Sequence, residues 1–562
     1  MTDKKTSIYG ALLLPVVFLA ACVSTVDKDS ERLGEVVAAE VALADGRYKD
    51  AMQGYFEAGI STNELSTVQR ATELVFDFGR SEAAQKLASH WQNLAPLAAE
   101  PELFLGRLAL REGDVDAAFA SFSRYLELYD EDTKATAQDR LAAVLLGEGK
   151  PEHALALAER MAAANRESWG AYRTLFRVAM RAEQPNKALD AAEVSYSLAP
   201  ESFDAALLQA QAIIIGGDRV AGMAFAREVS AQAQSADDKL EYAALLSAND
   251  EAEQALEWVK DVLADEPDNA KANKALAVMK LRGGDLQGAW QGFSELVTNP
   301  KEQHDAVFYM ATIAERQGRQ AQAIRLYDQI SPGPNTVLAR QRISQILLRL
   351  GQEEEALNSL DDFARRDPEQ GFRLLLPRAS LYRDLGRYDE AIAIYDDILD
   401  IRPRSEGILL TRAEAYLSAG DLDEAIAGYR AALKEHPDSA NSLNALGYTL
   451  ADRTKQFDEA YDLIKRAYDL RPENAAIIDS MGWIEFKLGN YEQALEHLER
   501  AWDQIKDPEV AAHLGETLWR LGEKDRAREI LKEAYDRSPG SQPLRETLER
   551  LLKEQNENRV ES

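Results

Sequence analysis

Small, apolar and turn-forming residues recur along this chain on a period of 34. The clearest unit carries Ala413, Tyr416, Gly420, Leu422, Ala425, Tyr429, Ala432 and Pro437. The unit before it repeats the pattern at Ala379, Tyr382, Gly386, Tyr388, Ala391, Tyr395 and Pro403. Each unit reads as two helical segments. The glycine between them suits the left-handed residue that follows a helix end, and the proline stops the second segment because its ring has no N–H to donate.

The turn position can be followed from Gly46 to Gly522 in fourteen steps of 33 to 36 residues, 476 residues in all. Twelve of the fifteen turn residues are Gly; the others are Glu183, Asp250 and Lys455. Five residues further on stands a small residue every time, Gly222 in one unit and Ala in the other fourteen, as expected where two helices cross closely. Pro96, Pro200, Pro267, Pro368, Pro403, Pro437, Pro472 and Pro539 close eight units. Fifteen matches in register are a strong signal where one would be weak. The pattern resembles the tetratricopeptide repeat, a pair of antiparallel helices. The resemblance implies an all-α, right-handed superhelical solenoid of about fifteen repeats, with a groove lined by the first helix of each pair. The array is expected over 32–540, most degenerate around Glu183 and Gly217. A capping helix with Leu544, Leu548, Leu551 and Leu552 on one stripe and a polar, mobile tail follow over 541–562.

The first residues read as an export signal. Lys4 and Lys5 precede an eleven-residue apolar run, Ala11 to Ala21. That run is too short for the roughly 20 residues a membrane span needs. It ends in Leu19-Ala20-Ala21-Cys22, and Cys22 is the chain's single cysteine. This segment resembles the lipobox of bacterial lipoproteins. The resemblance implies cleavage after residue 21, lipidation of Cys22 and a short tether over 22–31; Val23 resembles the class sorted to the outer membrane. Several acyl chains anchor a protein stably.

Composition narrows the function. With 65 Lys and Arg against 96 Asp and Glu, the formal charge is −31, which argues against nucleic acid as a partner and favours encounter with basic partners. One cysteine excludes an intramolecular disulfide framework and a cysteine-based zinc site. Phosphate loops, the Gly-x-Ser-x-Gly elbow and His-Glu-x-x-His are absent. The six histidines show no ligand spacing, and the nearest pair, His497 and His513, reads as surface residues. No catalytic residue, metal or cofactor is expected, and the chain reads as a binding protein rather than an enzyme.

Candidate binding residues follow from repeat position. Counting the small residue of the first helix as position 8, the groove positions are 2, 5, 6, 9, 12 and 13. Around Gly447 these are Asn441, Asn444 and Tyr448; around Gly482, Asp479, Trp483 and Phe486; around Gly515, Glu516 and Trp519. Asparagine can pair with both groups of an extended backbone, and large aromatics anchor partners; the bland alternative is packing between repeats and helix capping. Residues 340–387 hold nine Arg and eight acids, near neutral in an acidic chain. The same rule turns Arg342, Arg349, Arg373 and Arg383 to the groove, either as a cationic stripe for carboxylates or as partners of acids on adjacent helices.

The run Asn444-Ala445-Leu446-Gly447-Tyr448-Thr449-Leu450-Ala451-Asp452-Arg453, with Asp479-Ser480-Met481-Gly482-Trp483, Ala512-His513-Leu514-Gly515-Glu516 and Leu518-Trp519, is more particular than the repeat consensus. Together with the lipobox and the length, it resembles the tetratricopeptide outer-membrane lipoproteins that serve as adaptors for a periplasmic carboxy-terminal processing protease. That resemblance is close over about 441–552. It implies a scaffold that activates the protease and brings it peptidoglycan hydrolases to degrade. An assembly lipoprotein for a pilus, secretin or exopolysaccharide exporter is the alternative from another class.

Overall fold

A computed structural model describes residues 28–79, 81–130, 133–330, 333 and 335–560; the export segment 1–21 and Cys22 lie outside the described residues. The described residues form thirty-one α-helices, one 3-10 turn and no strand. The helices alternate as fifteen pairs, from Lys28–Ala44 with Tyr48–Ser61 to Pro508–Arg520 with Lys524–Arg537, and Gln542–Val560 follows. Contacts divide the chain into two compact units, Met1–Met279 and Lys280–Ser562. Within each, successive helices pack on their sequence neighbours and first helices also touch the next first helix, so the core is a series of local clusters. Among the described residues no helix is long and apolar enough to cross a membrane.

Helix reaches further at both ends than the expected tether and tail. Residues 28–31 open the first helix, and the last continues to Val560. Lys28 and Glu31 at the start and Glu554, Gln555, Glu557 and Arg559 at the end are good helix formers.

The expected turn residues set the joints. All twelve glycines have positive φ, and so do Glu183 (56°) and Asp250 (61°). The flanking hydrogen bonds are those of a Schellman closure: Asp421 N donates to Tyr416 O at 2.9 Å and Gly420 N to Leu417 O at 3.2 Å. Lys455 is the exception. There the helix Ala440–Arg453 ends on extended Thr454 (φ −131°, ψ −170°), whose hydroxyl donates to Leu450 O at 2.6 Å and accepts from Gln456 N at 3.0 Å. The side chain does what a left-handed residue does elsewhere. Each of the eight closing prolines stands two residues past the end of its second helix, as Pro437 does after Glu435.

Close crossing explains the small residue five positions on. All fourteen alanines have no exposed surface. At Gly222 even a Cβ would stand 2.5 Å from Ile214 Cγ1 and 2.8 Å from Ala210 O, so this crossing is tighter than the rest.

Glu183 holds a left-handed conformation that costs an L-residue with a Cβ about 1–2 kcal/mol. Glu183→Gly is therefore expected to stabilise the first unit by about 0.5–1 kcal/mol, after the greater chain entropy of glycine is set against the relief. Urea denaturation followed by circular dichroism checks this; an unchanged or lower midpoint would show that the turn stores no strain.

Candidate functional site

A second periodic feature links the first helices. Arg173 reaches Asp139 at 2.9 Å, Lys271 reaches Asp237 at 2.7 Å, Arg349 reaches Glu315 at 2.5 Å, His513 reaches Asp479 at 3.0 Å, and Arg550 grips Glu516 with both terminal nitrogens. All five pairs are separated by 34 residues. One repeat thus sets charge against the equivalent face of the next.

The candidate wall of the second unit is built by the first helices Ala440–Arg453, Ala475–Leu488 and Pro508–Arg520. Their starts are fixed by side-chain caps: Ser439 Oγ accepts from Ser442 N, Asn474 Oδ1 from Ile477 N and Asp507 Oδ1 from Glu509 N. Glycine at position 8 lets each lie close on its second helix. A Cβ at Gly482 would come 2.6 Å from Leu498 Cγ, and one at Gly515 2.6 Å from Leu531 Cγ.

At the centre lies a buried ionic and aromatic stack. His513 is 6 % exposed and Asp479 7 %; His513 Nδ1 stands 3.0 and 3.1 Å from the two Asp479 oxygens. The imidazole stacks on Trp483 at 4.0 Å, and Trp483 stacks on Phe486 at 5.0 Å. The indole N–H donates to Asp452 Oδ1 at 3.2 Å, and Lys487 Nζ lies 4.4 Å from the indole centroid. Burial works against the charged imidazolium, but the Asp479 charge and hydrogen bond, with Glu509 and Asp452 behind them, outweigh it and raise the His513 pKa. Tyr448 donates to Glu509 Oε1 at 2.5 Å, a strut across 61 residues from the first of these helices to the third. Burial and then Glu509 push its phenol far up.

These contacts sort the candidates. Asp479 and Trp483 are buried and engaged with one another's neighbours, so they organise the wall. Trp519, 8 % exposed, and Glu516, 3 % exposed, are likewise internal. Tyr448 is half-buried and tied to Glu509. Asn441 is exposed, and Asn444 Oδ1 is buried without a hydrogen-bond partner among the described residues. Of the arginines, Arg349 is held by Glu315, and half-buried Arg383 lies 4.0 Å from Asp384. Arg342 is exposed, 3.5 Å from Gln345 Oε1, and Arg373 is exposed. Arg340, at the head of the same segment, is buried as a structural clamp. His513, read from sequence as a surface residue, is one of the most enclosed polar groups in the wall. Its distance of 34 from Asp479 was the signal that could have found it. Among the described residues no three His, Cys, Asp or Glu side chains are grouped to hold a metal ion.

Known proteins share the repeat. Residues 382–447 and 453–516, 342–406 and 508–541 match tetratricopeptide repeat families. Over 211 residues the chain is 34 % identical to the TPR repeat-containing protein PA4667 of Pseudomonas aeruginosa, covering 38 % of this chain and 36 % of that protein. The match thus spans about a third of the relative's length. Among solved structures, a tetratricopeptide repeat protein of Parabacteroides merdae is 18 % identical with a TM-score of 0.36, over 44 % of this chain and 98 % of its own. The Cut9 and Hcn1 hetero-tetramer of the APC/C is 13 % identical with a TM-score of 0.33, over 93 % and 96 %.

Proposed function

We propose, starting from a chain that carries tetratricopeptide repeats between residues 342 and 541, that it is a lipid-anchored scaffold of the outer membrane facing the periplasm. It grips other polypeptides along the face of its first helices and breaks no bond itself. In this reading it binds and activates a carboxy-terminal processing protease and brings it peptidoglycan hydrolases as substrates. The observation that carries the binding half is the pair Asn441 and Asn444: one amide is exposed, and the other has a buried oxygen with its hydrogen bond unmade among the described residues. An unmet buried acceptor is costly, and a turn of the Asn444 side chain toward exposed Asn441 would offer that oxygen to the backbone N–H of an extended partner. The adaptor half rests on the likeness of the Asn444–Trp519 run and of Leu19-Ala20-Ala21-Cys22 to that lipoprotein family.

Cys22→Ser is expected to move the protein from the membrane pellet to the soluble fraction, since the thiol is the acceptor of the lipid. Continued sedimentation with membranes would remove the anchor from the reading. From a detergent extract, the wild-type protein is expected to co-purify a serine protease bearing a PDZ domain. Recovery of secretin or exporter subunits alone would replace the adaptor by the assembly scaffold.

A further inference from the structure

We propose that the first helices Trp169–Arg181, Phe203–Ile215 and Ala236–Ala248 form a recognition site for an apolar residue flanked by lysine or arginine on a partner polypeptide. The proposal rests on the protein-binding reading above and deepens it by assigning a ligand chemistry to the first unit.

The three helices line a half-open cavity of about 490 Å³, within the range of sites that take small ligands and roomy enough for a side chain. Its floor is apolar: Phe176, Leu208 and Leu245 are 4 %, 6 % and 6 % exposed. The opening is apolar too, because Ile215 is 39 % exposed and Ala244 and Ala248 are exposed beside it. The lining comes largely from positions 2, 5, 6, 9, 12 and 13 of the first helices, in the most degenerate repeats of the chain.

Charge decides the occupant. Arg173 is engaged, 2.9 Å from Asp139 and 3.7 Å from Asp204. Glu241 makes no ion pair or hydrogen bond among the described residues. It reaches solvent, yet the surrounding protein and then Asp204 push its carboxyl above the usual range, against the opposing pull of Arg177. A carboxylate made costly by its surroundings is relieved by an incoming cation. Asp204 and Glu241 line the cavity with Arg173 and Arg177; Asp139, paired with Arg173, and Asp238, close enough to act on Glu241, stand just outside it and tip the surroundings to acidic, in a chain of formal charge −31. An anionic ligand would meet net repulsion here. The geometry therefore suits an apolar side chain in the cavity and a neighbouring ammonium or guanidinium at Glu241.

The test uses the full chain carrying Cys22→Ser and a fluorescein-labelled decapeptide of alternating leucine and lysine, read by fluorescence anisotropy. Glu241→Gln is expected to weaken binding about fivefold. Ala244→Phe, an exposed position that fills the cavity, is expected to abolish it. Arg177→Ala should leave binding equal or tighter. Glu253→Gln, an exposed acid on the neighbouring second helix, removes the same charge away from the cavity and should change nothing. Equal weakening by Glu253→Gln and Glu241→Gln would overturn the site, because general charge would then suffice. So would a leucine–glutamate decapeptide that binds more tightly and depends on Arg177. The detergent-extract pull-down separates the two levels. If the protease is retained while the peptide ignores Glu241 and Ala244, the site fails and the scaffold stands; if no polypeptide partner is retained, the scaffold itself fails.

Discussion

Asp479→Ala is expected to destabilise the unit from Lys280 onward by about 3 kcal/mol, the cost of removing one member of a buried ion pair. His513 would keep its place against Trp483 but lose both hydrogen-bond acceptors that face it. It could shed its proton, which limits the loss. Asp479→Asn separates charge from shape, because the amide keeps an acceptor where the carboxylate stood. The pH dependence has a definite sign. The folded pKa of His513 is raised, so its stabilising contribution is fully present below the unfolded value of about 6.5 and is lost as pH rises through the raised folded value. The stability gap between wild type and Asp479→Asn is therefore expected to be larger at about pH 6 than at about pH 9. Urea denaturation followed by tryptophan fluorescence reads both effects. A gap that is constant with pH would mean that the imidazole stays neutral in the fold.

Arg340→Ala is expected to cost about 3 kcal/mol in the same unit, by a different route. The second helix Gln320–Asp328 is only nine residues long, and its end leaves carbonyls that need donors. Arg340, 2 % exposed, supplies them: Nη2 donates to Asp328 O and Ile330 O at 3.0 Å each, and Nη1 pairs with the Asp328 carboxylate. Its guanidinium also lies 4.3 Å from the Phe363 ring centroid. Alanine would strand two carbonyls, free Asp328 to pair with Arg366 alone at 3.2 Å, and open space beside Phe363. Arg340→Lys offers a point charge without the fork and should recover only part of the loss. If thermal or urea midpoints of Arg340→Ala match wild type, the short helix end is satisfied by solvent instead.

The period and its punctuation were legible because they are local. A glycine at a turn, an alanine at a crossing and a proline past a helix end act through their own backbone or their nearest helix. Fourteen of the fifteen turn residues therefore adopt the expected left-handed conformation. Lys455 departs because a neighbouring threonine hydroxyl replaces the turn. The candidate wall was harder to read. Asn441, Asn444, Tyr448, Asp479 and Trp483 all fall on first helices by the position rule, but the rule does not say which are consumed by one another. Trp483 looks like an open anchor until His513 and Phe486 are found stacked with it and Lys487 beside the ring.

An array of fifteen helix pairs, the place of each turn and the ends of eight pairs can thus be read from residue type and spacing alone. It takes the packing of the helices to bring Tyr448 to Glu509 and His513 to Asp479, and to stand Glu241 beside an apolar cavity with no ion pair or hydrogen bond among the described residues. The reason is distance along the chain. A turn is closed by bonds over three to five residues, which residue type alone can specify. The wall is closed by contacts over 34 or 61 residues, whose outcome depends on how closely successive first helices approach and which side chains fill the space between them.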